Sequence, residues 1–389
     1  MREENFNSLA IAVFLCANPI AWLIPFIPKA IVFIIILSWL IVILGKKRVI
    51  LFELSIYHYI FIATTCFIFL LSLFNNYTES IIEYFTFFLV CGITGVFYSQ
   101  LRFSIRKVFY YLCCISVVLV YFVSQINFGD PSIESVDYGM WMGISYGLLR
   151  LVLAIIAVLL LYRKNIKQLY IIILCVTLIF YSTIYFKYST RGALFAIIFF
   201  LFVYYFIQGN KVIRKKIMLF IACLGAVFVV FNFEFFLSSL IGFLSVFGIS
   251  IKALDKVLML SGSGNFDNGR GALIDKALDG IYSSPLFGNG FASFERMYGD
   301  GYYVHNFFVQ ILYEGGIVLF IPILFILIYG VKCIFTKYLP FDERIFVLFL
   351  FCAGIIELFF SSVYWKSVFF WFFIFYCLRL FVRTKKNSL

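Results

Sequence analysis

Apolar runs alternate with short polar and basic segments along most of this 389-residue chain. Each run is near the ~20 residues that an α-helix needs to cross about 30 Å of hydrocarbon. The pattern therefore predicts an all-α polytopic membrane protein with about twelve transmembrane helices. The predicted spans cover residues 8–27, 30–45, 50–73, 81–99, 108–124, 142–162, 169–186, 193–208, 217–235, 316–333, 345–361 and 368–382.

The composition agrees with a membrane location for the whole chain. Hydrophobic residues make up 64% of the sequence and charged residues only 13%, whereas a soluble domain carries about 25% charged residues. An ordinary soluble domain is therefore excluded, and we expect one integral membrane domain over residues 1–389. We expect no cleavable signal peptide, because the first apolar segment is followed at once by a second one.

The distribution of charge orients the predicted spans. Together with Arg2, alternate loops and the C-terminal tail hold 21 of the 31 Lys and Arg residues but only five of the 19 acids. The positive-inside rule places these segments and both termini in the cytoplasm. The net charge of +12 thus reflects topology, and we expect no nucleic-acid partner. The basic segments are 46–48, 102–107, 163–167, 211–216, 332–344 and 379–386.

One outer segment is far longer than the others. It covers residues 236–304, between the ninth and tenth predicted spans. Residues 237–260 resemble an amphipathic helix on the membrane surface, residues 272–284 have helical periodicity, and residues 285–291 form a Pro/Gly turn. Loops of this length usually carry function, so we expect this loop, with short helices inside it, to hold the site.

Ten basic residues lie outside the cytoplasmic set, at positions that topology does not explain, and three arginines among them are candidates for function. Arg150 lies eight residues, or about 12 Å, inside the sixth predicted span; Arg191 lies at the outer end of the eighth span, and Arg270 in the long loop. The planar guanidinium matches phosphate oxygens, so these residues are candidates for binding a diphosphate. The alternatives for Arg150 are snorkelling to the membrane surface or an ion pair with Glu357 or Glu83, and the alternative for Arg191 is a role as an interfacial anchor.

His305 is one of only two histidines and lies at the start of an apolar run, VHNFFVQILYEGGI. An imidazole with an ordinary pKa of about 6.5 is able to act as a base at neutral pH. The alternative is an interfacial histidine whose ring nitrogens are hydrogen-bonded. A helix over residues 305–316 would place a polar stripe beside the His305 face and would point Glu314 the other way. The stripe consists of Asn306, Gln310 and Tyr313.

Three stretches together resemble the O-antigen polymerase and O-antigen ligase family. STRGALFA (189–196) is similar to the family's first outer arginine motif. GRGALIDKALDGIYSSPLFGNGF (269–291) is similar to its second, and HNFFVQILYEGG (305–316) to its His-x10-Gly motif. The order and spacing of the motifs over about residues 189–330 carry the resemblance, and the N-terminal third matches only in having many spans.

The resemblance implies a C-class glycosyltransferase fold and a polyprenyl-diphosphate glycan as donor. It implies that Arg191 and Arg270 bind the diphosphate and that His305 lies beside the acceptor hydroxyl, with Arg150 as a further diphosphate candidate. The expected location is the bacterial inner membrane, with the site on the periplasmic side. The expected supporting residues are Asn306, Gln310, Tyr313, Gly288, Gly290 and Gly316.

The expected chemistry uses no metal and no other cofactor. Other C-class enzymes often bind a metal through an Asp-x-Asp sequence in the first outer loop, but here that loop covers only about residues 27–29 and contains no acid. The expected partners are the lipid-linked oligosaccharide and membrane lipid. A chain-length regulator and a flippase are candidate protein partners.

Three functions remain open at this point. A polymerase would transfer a lipid-linked glycan onto a lipid-linked repeat unit, and a ligase would transfer it to lipid A–core. A flippase would be expected to show repeat-related halves and charges along a central pathway. The unusual residues instead lie on the predicted outer side, which favours an enzyme over a flippase. The divergent, aromatic-rich sequence is more typical of a polymerase than of a ligase.

Overall fold

The described part of the protein is all-helical. The computed structural model describes residues 2–23, 30–45, 54–74, 78–125, 138–188, 190–208, 241–242, 270–299, 303–360 and 363–387, and no strand occurs among them. The helices are α1 (Arg2–Leu15), α2 (Ala17–Leu23), α3 (Ala30–Gly45), α4 (Ile56–Phe74), α5 (Thr78–Phe87), α6 (Thr94–Gln100), α7 (Ile105–Gln125), α8 (Tyr138–Tyr162), α9 (Gln168–Tyr188), α10 (Arg191–Gln208), α11 (Arg270–Ser283), α12 (Ser293–Tyr298), α13 (Phe307–Phe335), α14 (Phe341–Leu350), α15 (Ile356–Phe360) and α16 (Val368–Asn387).

Among the residues that the structure describes, six helical segments are long and apolar enough to cross a membrane. Two shorter apolar helices, within α3 and α10, accompany them. The prediction of an all-α protein with several membrane spans is therefore confirmed, whereas the number twelve stays a prediction. The predicted span 217–235 and most of the long loop, including residues 243–269, lie outside the described residues. The six segments are Ile56–Phe74, Glu79–Gln100, Ile105–Gln125, Gly143–Asn165, Gln168–Tyr185 and Phe307–Phe335.

Several predicted spans are interrupted rather than straight. The first is divided at Cys16 into α1 and α2, because Pro19 has no N–H to donate to the preceding turn. Short π-helical turns at Phe88–Ile93 and Phe351–Ile355 join α5 to α6 and α14 to α15. Turns of this kind are frequent at functional sites, and α15 is part of the site described below.

The aromatic helix α16 lies at the centre of the bundle. Its residues from Val368 to Tyr376 are at most 2% exposed. Glycines on three neighbouring segments allow close approach: a Cβ at Gly354 would lie 2.5 Å from the Cβ of Phe369, and one at Gly330 2.5 Å from Phe373. Gly95 similarly faces the backbone of Trp371. Dense packing around large rings supplies much of the cohesion of this core.

Residues from the predicted cytoplasmic segments meet at one end of the bundle. Arg383 forms an ion pair with Glu343, with 2.6 Å between Nη2 and Oε2, and the Tyr376 hydroxyl donates to the same carboxylate. Arg379 donates to the carbonyls of Ser99 and Leu101 at the end of α6. These contacts join α6, α14 and α16 at the end opposite the candidate site.

Candidate functional site

The segment that carries His305 is a helix cap and not a helical turn. Helix α13 begins at Phe307, and Asn306 is its N-cap: the Asn306 side chain accepts from the backbone N–H groups of Phe308 and Val309. His305 has a φ of 54°, in the left-handed region. The predicted helix over 305–316 is therefore wrong at its start, because a capping asparagine satisfies the first free N–H groups.

Helix α13 is broken at Gly316, where φ is 59° and ψ is −163°. The break leaves two carbonyls and two N–H groups of α13 without their helical hydrogen-bond partners. The turn over residues 285–291 supplies a new partner to each of the four groups. The N–H groups of Asn289 and Gly290 donate to the carbonyls of Tyr313 and Glu314 at 2.7 and 3.0 Å. The N–H groups of Ile317 and Val318, which have lost their helical acceptors, donate to the carbonyls of Pro285 and Leu286 at 3.0 and 3.2 Å.

Two glycines make this union of turn and helix break possible. Gly288 and Gly316 both have φ near the left-handed region, at 71° and 59°. A Cβ at Gly288 would lie 2.5 Å from the carbonyl carbon of Glu314, and one at Gly316 would overlap the Leu286 carbonyl. Both glycines therefore permit a close approach of two backbone segments, and their role in supporting a site stays a prediction. Gly290 similarly faces Ser72 of α4.

Glu314 is a buried carboxylate at the centre of the site region. It is 1% exposed, and its oxygens accept from Gln310 Nε2 at 3.0 Å, from the Tyr364 hydroxyl at 2.6 Å and from Trp365 Nε1 at 3.1 Å. Three donors compensate much of the cost of burying such a group. The hydrogen bonds of Glu314 therefore connect α13 to the short 3-10 turn Tyr364–Lys366 that precedes α16.

The sequence prediction for this face of α13 needs correction. Glu314 does not point away from the polar stripe, because Gln310 lies one turn earlier and its amide donates to that carboxylate. Tyr313 is fully buried and packs against Phe294, with 5.3 Å between ring centroids. The side chains of Gln310, Tyr313 and Asn306 are thus engaged in the fold, and their role in supporting a site stays a prediction.

Arg191 is the first residue of α10. The preceding residue, Thr190, caps this helix, because its hydroxyl accepts from the Ala193 N–H. The backbone N–H of Thr190 donates to the Ser145 hydroxyl. Gly192 lies directly against the hydroxyl of Tyr146 and the side chain of Phe360. The start of α10 is therefore fixed between α8 and α15.

Arg270 is the first residue of α11, which agrees with the helical periodicity of residues 272–284. Helix α11 packs on α13, with Gly280 directly against the Tyr313 ring. Leu273 and Ile274, near the start of α11, pack against the cluster of buried residues that contains Val304. The Arg270 helix and the segment preceding His305 thus share one small core, which also contains Ala277, Phe294 and Tyr313.

The five-residue helix α15 lies between the Arg191 helix and the His305 helix. Phe359 packs against Phe307 and Phe308 at centroid distances of 6.0 and 5.3 Å, and Phe360 packs against Phe195 of α10 at 5.9 Å. The starts of α10 and α13 are therefore joined through α15.

Arg150 lies beneath α15 in a buried ion pair. Its Nη2 is 2.6 Å from Glu357 Oε2, and the two side chains are 5% and 9% exposed. Arg150 Nε also donates to the Ala353 carbonyl, and the guanidinium lies over the Phe369 ring. The pairing with Glu357 is one of the alternatives that the sequence left open, and it anchors α15. The contact of Arg150 with a diphosphate stays a prediction.

Contacts within the structure link the segments that carry most of the residues predicted for the site, and two further side chains in this region were not singled out by the sequence. The contacts of α15, of the 285–291 turn and of the cluster around Val304 link the segments that start at Arg191, Arg270 and His305. The missed residues are Glu314 and Tyr303, whose ring lies 3.8 Å from that of His305. A carboxylate within an apolar run was the available signal for Glu314. Among the described residues, no group of three or more His, Cys, Asp or Glu side chains is arranged to hold a metal ion.

The fold and site together define a multi-span helical protein in which two helices begin with arginine and a third is preceded by histidine. The family model described as O-antigen ligase matches residues 182–326. That range contains all three motifs, so the resemblance to the O-antigen polymerase and ligase family is confirmed over it. No curated protein and no solved structure matches the chain.

Proposed function

We propose that this protein is a polysaccharide polymerase of the inner membrane. It transfers a polyprenyl-diphosphate-linked glycan onto a lipid-linked oligosaccharide repeat unit, for O-antigen or capsule synthesis, at the periplasmic face. The family match supports a polymerase- or ligase-type function in general. The observation that carries the proposal concerns three helix starts: α15 packs against the first turns of α10 and α13, and the small core around Val304 joins the first turn of α11 to the segment that precedes α13.

The placement of Arg191 supports a diphosphate site. The N-terminus of a helix carries a partial positive charge, so a cation in the first turn is unfavourable there and an anion is favourable. Arg191 nevertheless occupies the first position of α10, directly after its cap Thr190. A bound diphosphate would turn this unfavourable placement into a favourable one, and it is the leaving group of the proposed reaction.

The proposed reaction is an inverting displacement without a metal. The acceptor hydroxyl oxygen forms a bond to the anomeric carbon of the donor glycan, and the bond from that carbon to the diphosphate oxygen breaks. The electron pair passes to the diphosphate, where Arg191 and Arg270 stabilise the developing charge. His305 accepts the proton of the hydroxyl. Arg150 has a structural role in this account.

A deletion strain complemented with variants tests this proposal. We expect Arg191→Ala, Arg270→Ala and His305→Ala to abolish the glycan ladder and to leave single repeat units on lipid A–core. Arg163→Ala is the matched control, because Arg163 is exposed in the turn between α8 and α9, and it should keep the ladder. Wild-type ladders in all three site variants, at equal protein levels in the membrane, would show that the site is wrong.

The same strain separates the alternatives. Loss of all O-chain together with accumulation of long lipid-linked polymer would identify a ligase. Accumulation of untranslocated lipid-linked units in the cytoplasmic leaflet would identify a flippase. A chain-length regulator and a flippase are the protein partners that a polymerase would need, and pull-down of the tagged protein from its native membrane is the measurement for them.

A further inference from the structure

The residues just before α13 alternate between buried and partly exposed. Val304 is fully buried in the small core with Ala277, Phe294 and Tyr313, whereas Tyr303 and His305 on either side of it are partly exposed. Burial of Val304 anchors the segment in this core. The rings of Tyr303 and His305 lie together on one side of it, because they are in contact.

The two exposed rings are in direct contact. The ring centroids of Tyr303 and His305 are 3.8 Å apart, with 40° between the ring planes. This is closer than the 4.5–7 Å that is usual between aromatic rings. One face of the imidazole is therefore covered by the tyrosine ring, which limits the rotation of His305 about its side-chain bonds.

The backbone of His305 also depends on its neighbours. Its φ of 54° is unfavourable for a residue with a side chain, and such conformations persist where the surrounding structure holds them and are concentrated at functional sites. The Asn306 cap holds the backbone on one side, and buried Val304 holds it on the other. The backbone sets the direction in which the His305 side chain leaves the chain, and Tyr303 sets the orientation of the ring.

We propose that Tyr303 is a positioning residue that holds the His305 imidazole in the orientation required to accept the proton of the acceptor hydroxyl. This proposal rests on the proposed function of His305. General-base catalysis requires the nitrogen to be within hydrogen-bonding distance of the hydroxyl in the reactive complex, and small misplacements reduce the rate strongly. The face of the tyrosine ring makes the contact, so its hydroxyl group is not required.

The experiment uses the full-length protein in lipid nanodiscs. The substrate is the lipid-linked repeat unit isolated from a host strain that lacks the protein, and chain extension is measured as kcat and KM. The variants are Tyr303→Phe, which keeps the ring, and Tyr303→Leu, which removes it. Tyr282→Leu is the matched control, because Tyr282 is an 81% exposed tyrosine on α11. Tyr303 is partly exposed, so we expect its variants to fold, and the melting temperature of each variant checks this directly.

We expect Tyr303→Leu to lower kcat about tenfold or more with KM nearly unchanged, as for a misplaced catalytic group. Tyr303→Phe and Tyr282→Leu should behave as the wild type. Wild-type turnover of Tyr303→Leu, a rise in KM at constant kcat, or equal loss in Tyr303→Phe would each overturn the proposal.

Failure of this proposal is distinguishable from failure of the proposed function. If His305→Ala itself extends chains at the wild-type rate, the role of His305 is wrong and the account of Tyr303 falls with it. If His305→Ala is inactive while Tyr303→Leu is unaffected, the proposed function stands and only the positioning role is overturned.

Discussion

At the scale of single residues, buried charges explain more of this structure than exposed ones. The Arg150–Glu357 pair and the Glu314 carboxylate are almost completely removed from solvent, and each joins segments distant in sequence. Loss of one partner of a buried ion pair strongly destabilises a protein, because the remaining buried charge has no compensating charge. Arg150 is thus required for the bundle in our account, and direct contact with substrate is not needed to explain its depth.

The Arg150–Glu357 pair gives a prediction that separates a structural role from a binding role. Arg150→Met should destabilise the protein by about 3–5 kcal/mol, because Glu357 is left buried without its partner. Arg150→Met combined with Glu357→Leu should recover most of this stability and keep glycan polymerisation. Thermal unfolding of the purified variants and ladder formation in cells are the measurements. A stable double variant that forms no ladder would instead show that Arg150 binds substrate.

At the scale of secondary-structure elements, the main feature is a break in α13 whose missing hydrogen bonds are supplied by a turn. Residues 285–291 provide hydrogen bonds for the four backbone groups that the break at Gly316 leaves without helical partners. The same turn continues the Arg270 helix, since Asn289 Nδ2 donates to the Gly280 carbonyl near its end. It also contacts α4, where Phe291 N–H donates to the Ser72 hydroxyl. The turn therefore fixes the Arg270 helix relative to the helix that follows His305.

From the break in α13 we predict that Gly288 and Gly316 are required for the stability of the protein. Gly316→Ala and Gly288→Ala should each cost at least about 2 kcal/mol, because each combines a left-handed conformation with a backbone overlap. Gly147→Ala is the control, since a Cβ there meets only Pro19 Cα at 3.9 Å, and it should be neutral or slightly stabilising. Melting temperatures in detergent check the series, and equal values for all three variants would contradict this description of the turn.

The sequence predicts the elements of the site better than their pairing. The periodicity of residues 272–284 and the glycines of the motifs are local features, and they identified α11 and the turn correctly. The exchange of hydrogen bonds between residues 285–290 and 313–318 is a long-range contact that no local pattern encodes. Glu314 was misjudged for the same reason, since two of its three donors lie 50 and 51 residues away. The start of α13 was misplaced because the Asn306 cap resembles one more helical turn.

At the scale of the whole molecule, the described helices form a bundle whose two ends differ in chemistry. One end contains Arg379, Arg383 and Glu343, from segments predicted to be cytoplasmic. The other end contains the 285–291 turn, the His305 segment and the half-exposed ion pair of Lys366 with Glu83, at 2.9 Å. This separation supports the proposed orientation, in which substrate is received at the periplasmic face and both termini are cytoplasmic.

The proposed orientation is tested by labelling of introduced cysteines. Tyr282→Cys and Tyr338→Cys place thiols at positions that are 81% and 95% exposed in the native chain. A membrane-impermeant maleimide should label Tyr282→Cys in spheroplasts and Tyr338→Cys only after lysis. The wild-type chain provides the background from its own cysteines. Labelling of Tyr338→Cys in intact spheroplasts would reverse the orientation and place the site in the cytoplasm.

We propose that Arg191, Arg270 and His305 form a site that elongates glycans on a lipid carrier. The most direct measurement supplies the purified protein in nanodiscs with lipid-linked repeat units alone and analyses the length of the lipid-linked products. Our account predicts chains of two or more units from the wild-type protein, and only single units from Arg270→Ala or His305→Ala. Products that stay at one unit, with transfer of glycan only when lipid A–core is added, would contradict it.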